Sequence, residues 1–356
     1  MKISMISTLP PIKGLSPYTL GLVKELSKNV EIDFYGFKSI YPEFLYPGGT
    51  KTNEPEPTIK NVNIKNYLTW YNPFSWIRTG LSINTDIVHA QWWSWFLAPV
   101  YLTTLTIAKL RGKKIIMTIH NVKPHEKSFI KNFLNNSVIG LANEYIVHSE
   151  DNKRKFNSKK NVSVIPLGLD IKKEIKKETA IQKLNLPQNK SFLLFFGNIR
   201  DYKGLDILIS ALEEMKRQDV ILLIAGQIWD KKLLDQIKNK TNIIYSNGFV
   251  KPEEVIYYFS ASDLVVYPYK YFDASSAAAA EALSYEKAIV VTNVGGLPEL
   301  VKDKNVIAKS NDVTDLKDKI VYALKNKMKL EKDSKAITKK FAWNVIAKMT
   351  RGVYRR

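Results

Sequence analysis

The chain has no cysteine in its 356 residues. That excludes a disulfide framework, a thiol nucleophile and any Cys-based zinc site, and it fits a cytoplasmic protein. No Asp-x-Asp pair occurs, so a common route to a bound divalent cation is missing. The first loop carries Gly14 alone, which rules out a G-x-G-x-x-G dinucleotide fingerprint. No RNP-like, zinc-finger or helix-turn-helix signature accompanies the basic residues. Long uncharged runs are scarce. The one that approaches membrane-spanning length is Ala90–Ala108, and its Gln91, Ser94, three threonines and Pro99 argue for a buried helix instead.

What is present suits two α/β domains. The length exceeds one hydrophobic core, and 45% apolar content fills two. Met1–Pro11 reads as a first strand rather than a signal peptide. Lys and Arg number 54 against 34 Asp and Glu, for a net charge of +20. The lysines are scattered, as in Lys172-Lys173 and Lys339-Lys340, so a solvated surface explains them first and an anionic membrane surface second.

The stretch Leu264–Glu299 organises the chain. Leu264–Tyr267 is an apolar strand, and Ser275-Ser276 before four alanines is a helix start. Ala288–Thr292 is the next strand, which makes a βαβ unit with parallel pairing. Small side chains at Ser275, Ser276 and Ala277 let a ligand approach the backbone, and the first-turn amides favour an anion. Asp273 and Glu281 stand eight residues apart, about 12 Å on a helix. That spacing suits two polyol groups of one ligand with phosphate between them. An Ala-rich helix packed on a sheet explains the same residues without a ligand.

In chain order, Lys2–Ser7 is a strand, and the loop Thr8–Pro17 leads into a helix over Tyr18–Leu26. Tyr41–Pro57 is a long excursion, and Tyr71–Trp76 an aromatic segment over the N-terminal core. Strands follow at Asp86–His89 and Lys114–Ile119. The cluster Trp92–Phe96 between them is core, a sugar platform or a membrane-interface belt. His120 stands at the C-terminal end of Lys114–Ile119, the functional edge of a parallel sheet. A histidine there serves hydrogen bonding or proton transfer, or is simply satisfied in the core. His120 and His125 are five residues apart across a proline, which argues against a metal pair with Glu126. The second half restarts at Ser191–Phe196. Gly197 permits a tight turn, Arg200 and Lys203 stand in the loop, and Gly204 opens a helix. Two cations beside a helix start suit a diphosphate; an ordinary βα turn carries the same residues.

Several of these motifs together resemble retaining GT-B glycosyltransferases of family four, the glycosyl transferases group 1. They are HNVKPHE from His120, VIPLGLD to Asp170, GNIRDYKGLD from Gly197, and Asp273-x7-Glu281 with Gly295-Gly296-Leu297-Pro298-Glu299. The family usually has Glu where this chain has Asp273, and a more glycine-rich approach where it has Ser275-Ser276-Ala277. The resemblance implies two Rossmann-like domains facing a central cleft: residues 1–168 on the acceptor side, 169–340 on the nucleotide-sugar side, and a last helix, 341–356, crossing back. It implies that Gly14 faces the donor phosphates, that His120 contacts the donor sugar, and that Arg200 and Lys203 bind the diphosphate. It also implies that Asp273 holds the transferred sugar and Glu281 the ribose.

The expected activity is transfer of a sugar, with retention, from a nucleotide-diphosphate sugar to a glycan or lipid-linked saccharide. No cofactor or metal and no nucleic acid is expected, and the setting is the cytoplasm, at the inner face of the membrane when docked. Two alternatives stay open. A GT-B sugar-nucleotide epimerase would turn over donor with no acceptor present. A non-catalytic partner subunit would bind donor without hydrolysing it.

Overall fold

The computed structural model describes residues 1–42, 49–121, 129–156, 158–228, 230–238, 240–271 and 276–356. The chain divides into two compact units, Met1–Gly168 with Trp343–Arg356, and Leu169–Ala342.

The first unit holds strands β1 (Lys2–Ile6), β2 (Glu31–Ser39), β3 (Val62–Thr69), β4 (Ile87–Trp92), β5 (Lys114–Ile119), β6 (Glu144–Val147) and β7 (Val162–Val164). They form one parallel sheet in the order β3-β2-β1-β4-β5-β6-β7. Its helices are α1 (Ser16–Leu26), α2 (Pro73–Ser82), α3 (Ala98–Leu110), α4 (Phe129–Gly140) and α5 (Glu150–Phe156). Strand order reverses between β1 and β4, the switch point at which open α/β sheets bind ligands. The Gly14 loop follows β1 and His120 follows β5 at the same edge.

The second unit repeats the plan. Strands β8 (Ser191–Phe196), β9 (Val220–Gly226), β10 (Ile243–Asn247), β11 (Leu264–Tyr267), β12 (Ile289–Thr292) and β13 (Ile307–Ala308) run parallel in the order β10-β9-β8-β11-β12-β13. Helices are α6 (Lys177–Lys183), α7 (Leu205–Met215), α8 (Lys231–Ile237), α9 (Val255–Ala261), α10 (Ala277–Ser284), α11 (Val313–Lys325) and α12 (Lys327–Phe341). Helices cover both faces of the sheet, so its strands read as unbroken apolar runs: FLLF, VILLIA, LVVY, IVVT. The switch point lies between β8 and β11, where the Gly197 loop and the start of α10 meet.

Helix α13 (Trp343–Tyr354) returns to the first unit and packs on α1. Together they cover one face of the first sheet, with Ile3, Met5, Leu22, Phe34, Ile346 and Tyr354 in that core. Helices α2, α3 and α4 cover the other, around Tyr35, Trp92, Tyr101 and Met117. The break before α13 falls at Ala342, in extended backbone at φ −59° and ψ 140°.

Three sequence expectations change. Ala90–Ala108 is not one helix. It is the end of β4, a short 3-10 turn at Trp95–Leu97, then α3 from Ala98. Pro99 explains the start, because proline is favoured where a first-turn amide needs no acceptor. Second, β3 and α2 went unread. The aromatic segment Tyr71–Trp76 is the entry to α2, capped by the Asn72 side chain accepting from the Phe74 amide at 3.1 Å. Third, Trp92–Phe96 is packed mainly against the core, with Trp92 buried and Trp93, Trp95 and Phe96 half-buried. Trp92 is buried, and its indole N–H donates to Asn135 Oδ1 at 2.7 Å.

Trp343 is gripped by two glycines. A Cβ on Gly168 would lie 2.2 Å from its ring, and a Cβ on Gly21 also 2.2 Å. Gly168→Ala is therefore expected to destabilise the first unit by about 1–3 kcal/mol, the usual cost of overpacking. Trp343→Leu in the same chain should recover part of the loss. Urea unfolding of the wild type and the two variants checks this; an unchanged midpoint for Gly168→Ala would contradict the packing.

Candidate functional site

The second unit gathers charge at its switch point. Strand β8 ends at Phe196, and Gly197 turns the chain at φ +103°, a region costly for other residues. A Cβ there would stand 3.4 Å from Lys203 Nζ and 3.7 Å from the Ala278 methyl. Glycine thus keeps open the space between the ammonium and the first turn of α10. A single 3-10 turn, Asp201–Lys203, then leads to Gly204. A Cβ at Gly204 would lie 2.0 Å from the Pro268 carbonyl oxygen, so α7 begins against the backbone leaving β11.

The allocation of charge around this loop is uneven. Lys270 takes both nearby acids, Asp201 at 2.8 Å and Asp206 at 3.0 Å. Lys203 is buried, and among the described residues no carboxylate pairs with it. Its ammonium lies 5.8 Å from the Tyr269 ring centroid. Burial, and secondarily the Arg200 guanidinium, lower its pKa to about 8. At neutral pH it is a cation in want of an anion.

Helix α10 supplies further donors. Ser276 caps it, its hydroxyl oxygen accepting from the Ala279 amide at 3.2 Å and lying 3.0 Å from the Tyr269 hydroxyl. The amides of Ala277 and Ala278 have no acceptor among the described residues. One turn on, Glu281 Oε1 accepts from Lys172 Nζ at 2.5 Å, and that ammonium sits 5.4 Å from the Tyr285 ring. A carboxylate has four lone-pair sites, so Lys172 orients Glu281 without exhausting it. Asp273 and Ser275 lie outside the described residues, as do His125 and Glu126.

In the first unit, Gly14 lies in the loop after β1, where a Cβ would meet Thr8 Oγ1 at 3.6 Å and Trp93 at 4.0 Å. His120 follows β5, its amide donating to the Trp92 carbonyl at 2.9 Å. Both of its ring nitrogens have partners: Nε2 with Gln91 Oε1 at 2.8 Å and Nδ1 with His148 Nε2 at 3.0 Å. The Tyr18 ring meets His120 edge-on, with centroids 4.9 Å apart. Burial holds the His120 pKa well below the usual range, with the His148 and His89 charges secondary. Among the described residues no group of three or more His, Asp or Glu side chains is arranged to hold a metal.

Residues 176–341 match the family described as glycosyl transferases group 1. The match covers most of the second unit. The whole chain is 26% identical to an uncharacterized glycosyltransferase of Methanocaldococcus jannaschii over 377 residues, covering 99% of this chain and 98% of that protein. A 156-residue stretch is 26% identical to the lipopolysaccharide 1,2-N-acetylglucosaminetransferase of Salmonella typhimurium, covering 40% of this chain and 41% of that one. Among solved structures, Anabaena HepE in complex with UDP superposes with a TM-score of 0.74 at 15% identity, covering all of both chains. The fold is GT-B, and the second unit carries the match to glycosyl transferases group 1.

Sequence reasoning missed Lys172, which it read as one of the solvated surface lysines. It also missed His89, Gln91 and His148, which surround His120.

Proposed function

We propose that the chain transfers a sugar from a nucleoside-diphosphate sugar to a saccharide acceptor with retention of anomeric configuration. One observation carries the donor side: the buried Lys203, paired with no carboxylate among the described residues, beside the first turn of α10. When the bond from the anomeric carbon to the diphosphate oxygen breaks, negative charge grows on that oxygen. Lys203, Arg200 and the Ala277 and Ala278 amides answer it, and preorganised donors in a site of low dielectric are effective stabilisers. Glu281, oriented by Lys172, accepts from the ribose hydroxyls. Asp273 holds the transferred sugar, Ser275 and Ser276 let the phosphates approach, and Gly14 and His120 serve the sugar side. UDP is the first nucleotide to try, since HepE is described with UDP.

With two cations and a helix start set against the leaving group, no metal is required. Arg200→Ala and Lys203→Ala are each expected to cut kcat by about 10²-fold, as loss of one such donor does, with the fold intact by circular dichroism. The wild type should keep its rate in excess EDTA. Near-normal rates in both variants would refute the phosphate assignment. EDTA inactivation reversed by magnesium would refute the metal-free reading.

The acceptor we propose is lipid-linked, reached by docking of the first unit on an anionic cytoplasmic leaflet. Trp92–Phe96 is a poor docking face, because Trp92 is buried and Trp93, Trp95 and Phe96 are half-buried against the core. The support comes from the layer α2–α3–α4, which contains no Asp or Glu. Phe74, Ile77 and Leu81 are exposed along α2, and Phe129, Ile130 and Phe133 on α4; Phe74 is 81% and Phe129 86% exposed. Arg78, Lys109, Arg111 and Lys131 stand among them. Basic residues near an anionic leaflet contribute about 1 kcal/mol each. No helix among the described residues is long and apolar enough to cross a membrane, and docking needs none. The chain should sediment with anionic vesicles, less at high salt, and less again after Phe74→Ser with Phe133→Ser. Equal, negligible binding to neutral and anionic vesicles at low salt would refute docking.

A further inference from the structure

His120 belongs to a buried ladder of hydrogen bonds that spans the edge of the first sheet. At one end, His148 Nδ1 lies 2.9 Å from the Ile165 carbonyl oxygen. His148 Nε2 meets His120 Nδ1 at 3.0 Å, and His120 Nε2 meets the Gln91 amide at 2.8 Å. The other end of that amide lies 3.3 Å from His89 Nε2, which is also 2.7 Å from Thr118 Oγ1. His89 Nδ1 ends the ladder at the Tyr354 hydroxyl, 2.6 Å away on α13. His89 and Gln91 are fully buried and His148 is 5% exposed.

Elementary bonding rules fix the protons. A carbonyl only accepts, so His148 Nδ1 carries hydrogen. In a neutral ring its Nε2 is then an acceptor, and His120 must donate to it from Nδ1. That leaves a lone pair on His120 Nε2, which needs a donor. As placed, Gln91 turns Oε1 to His120 and its nitrogen to His89. This orientation satisfies the ladder only if His120 or His148 carries a second proton. Burial works against that proton: it lowers the His148 pKa to about 4 and that of His89 to about 3. Arg, Lys, Asp and Glu side chains make no hydrogen bond to any of these three rings among the described residues. A half-turn of the amide removes the conflict. Gln91 then donates to His120 Nε2, His89 Nε2–H is shared between Thr118 Oγ1 and the Gln91 amide oxygen, and His89 Nδ1 accepts from Tyr354. Every group is paired and no charge is buried.

We propose that His148 and Gln91 are positioning residues that hold His120 as the neutral tautomer, with the proton on Nδ1 and the lone pair on Nε2. Both ring nitrogens of His120 are then engaged within the protein, Nδ1 donating to His148 and Nε2 accepting from Gln91, so the pair fixes the orientation of the ring. Its relevance to catalysis rests on the reading of His120 as a sugar-side residue.

Nitrogen NMR of the full chain with ¹⁵N-histidine tests the tautomer directly, because only four histidines are present and single variants assign them. At pH 7 His120 should show a protonated Nδ1 and an unprotonated Nε2. His148→Ala should mix the tautomers, and His148→Gln, which restores an acceptor, should return them. Gln91→Glu, whose carboxylate only accepts, should move the proton to Nε2 or charge the ring, so the test survives if His148→Ala fails to fold. A wild-type ring protonated at Nε2, or a His120 spectrum unmoved by all three changes, would overturn the proposal. In kinetics, His148→Ala should lower kcat by up to about 10²-fold with little change in donor KM. If His120→Ala turns over like the wild type, the sugar-side reading fails, and the spectra alone judge the tautomer.

Discussion

The switch point of the second unit is arranged around the buried ammonium of Lys203. A lysine out of water normally brings a carboxylate with it, because an unpaired buried charge is costly. Here the nearby acids, Asp201 and Asp206, are committed to Lys270 instead. Lys203 is left with an aromatic ring, a glycine and the start of a helix. The local geometry follows from that choice. Gly197 is a glycine because the chain turns there at φ +103°, and Gly204 is one because α7 must start against the Pro268 carbonyl. Ser276 caps the third amide of α10 and leaves the first two open. An anion with several oxygens completes this arrangement better than a carboxylate would.

The first unit shows the opposite treatment of buried polar groups. His89, His120 and His148 sit in a chain of uncharged partners, and burial holds them neutral. The two strategies suit different tasks. An uncompensated cation attracts a phosphate group, whereas a neutral, fully paired ladder fixes the orientation of a ring. Tyr354, which closes that ladder, comes from the last helix, so the chain's C-terminal segment helps to order a residue at the edge of β5.

Much of the second unit was legible because its strands are buried on both faces and its loops carry unusual residues. Long apolar runs, Gly197, the cations of the next loop and the Ser276 cap are local signals. Others were weaker. β3 alternates polar and apolar residues at a sheet edge, and α2 announces itself only by Asn72-Pro73. Ala90–Ala108 looked continuous because hydropathy does not register Pro99 as a helix start. Lys172 resembled any surface lysine; its pairing with Glu281 spans 109 positions. The ladder is likewise non-local: His89, His120 and His148 come together only through the order β4-β5-β6. Asp273 and Ser275 are argued from sequence alone.

The most direct test of the central claim is calorimetric titration of UDP across pH 6.5 to about 9.5, spanning the lowered lysine pKa. Lys203 is at about 8 in the free protein, and a bound diphosphate favours its charged form and raises that value. Affinity should therefore be level below about pH 8, fall as pH rises through it, and show proton uptake on binding there. Lys203→Met should bind more weakly and lose that slope. Equal affinity at both ends of the range in the wild type, or the same slope in Lys203→Met, would contradict the account.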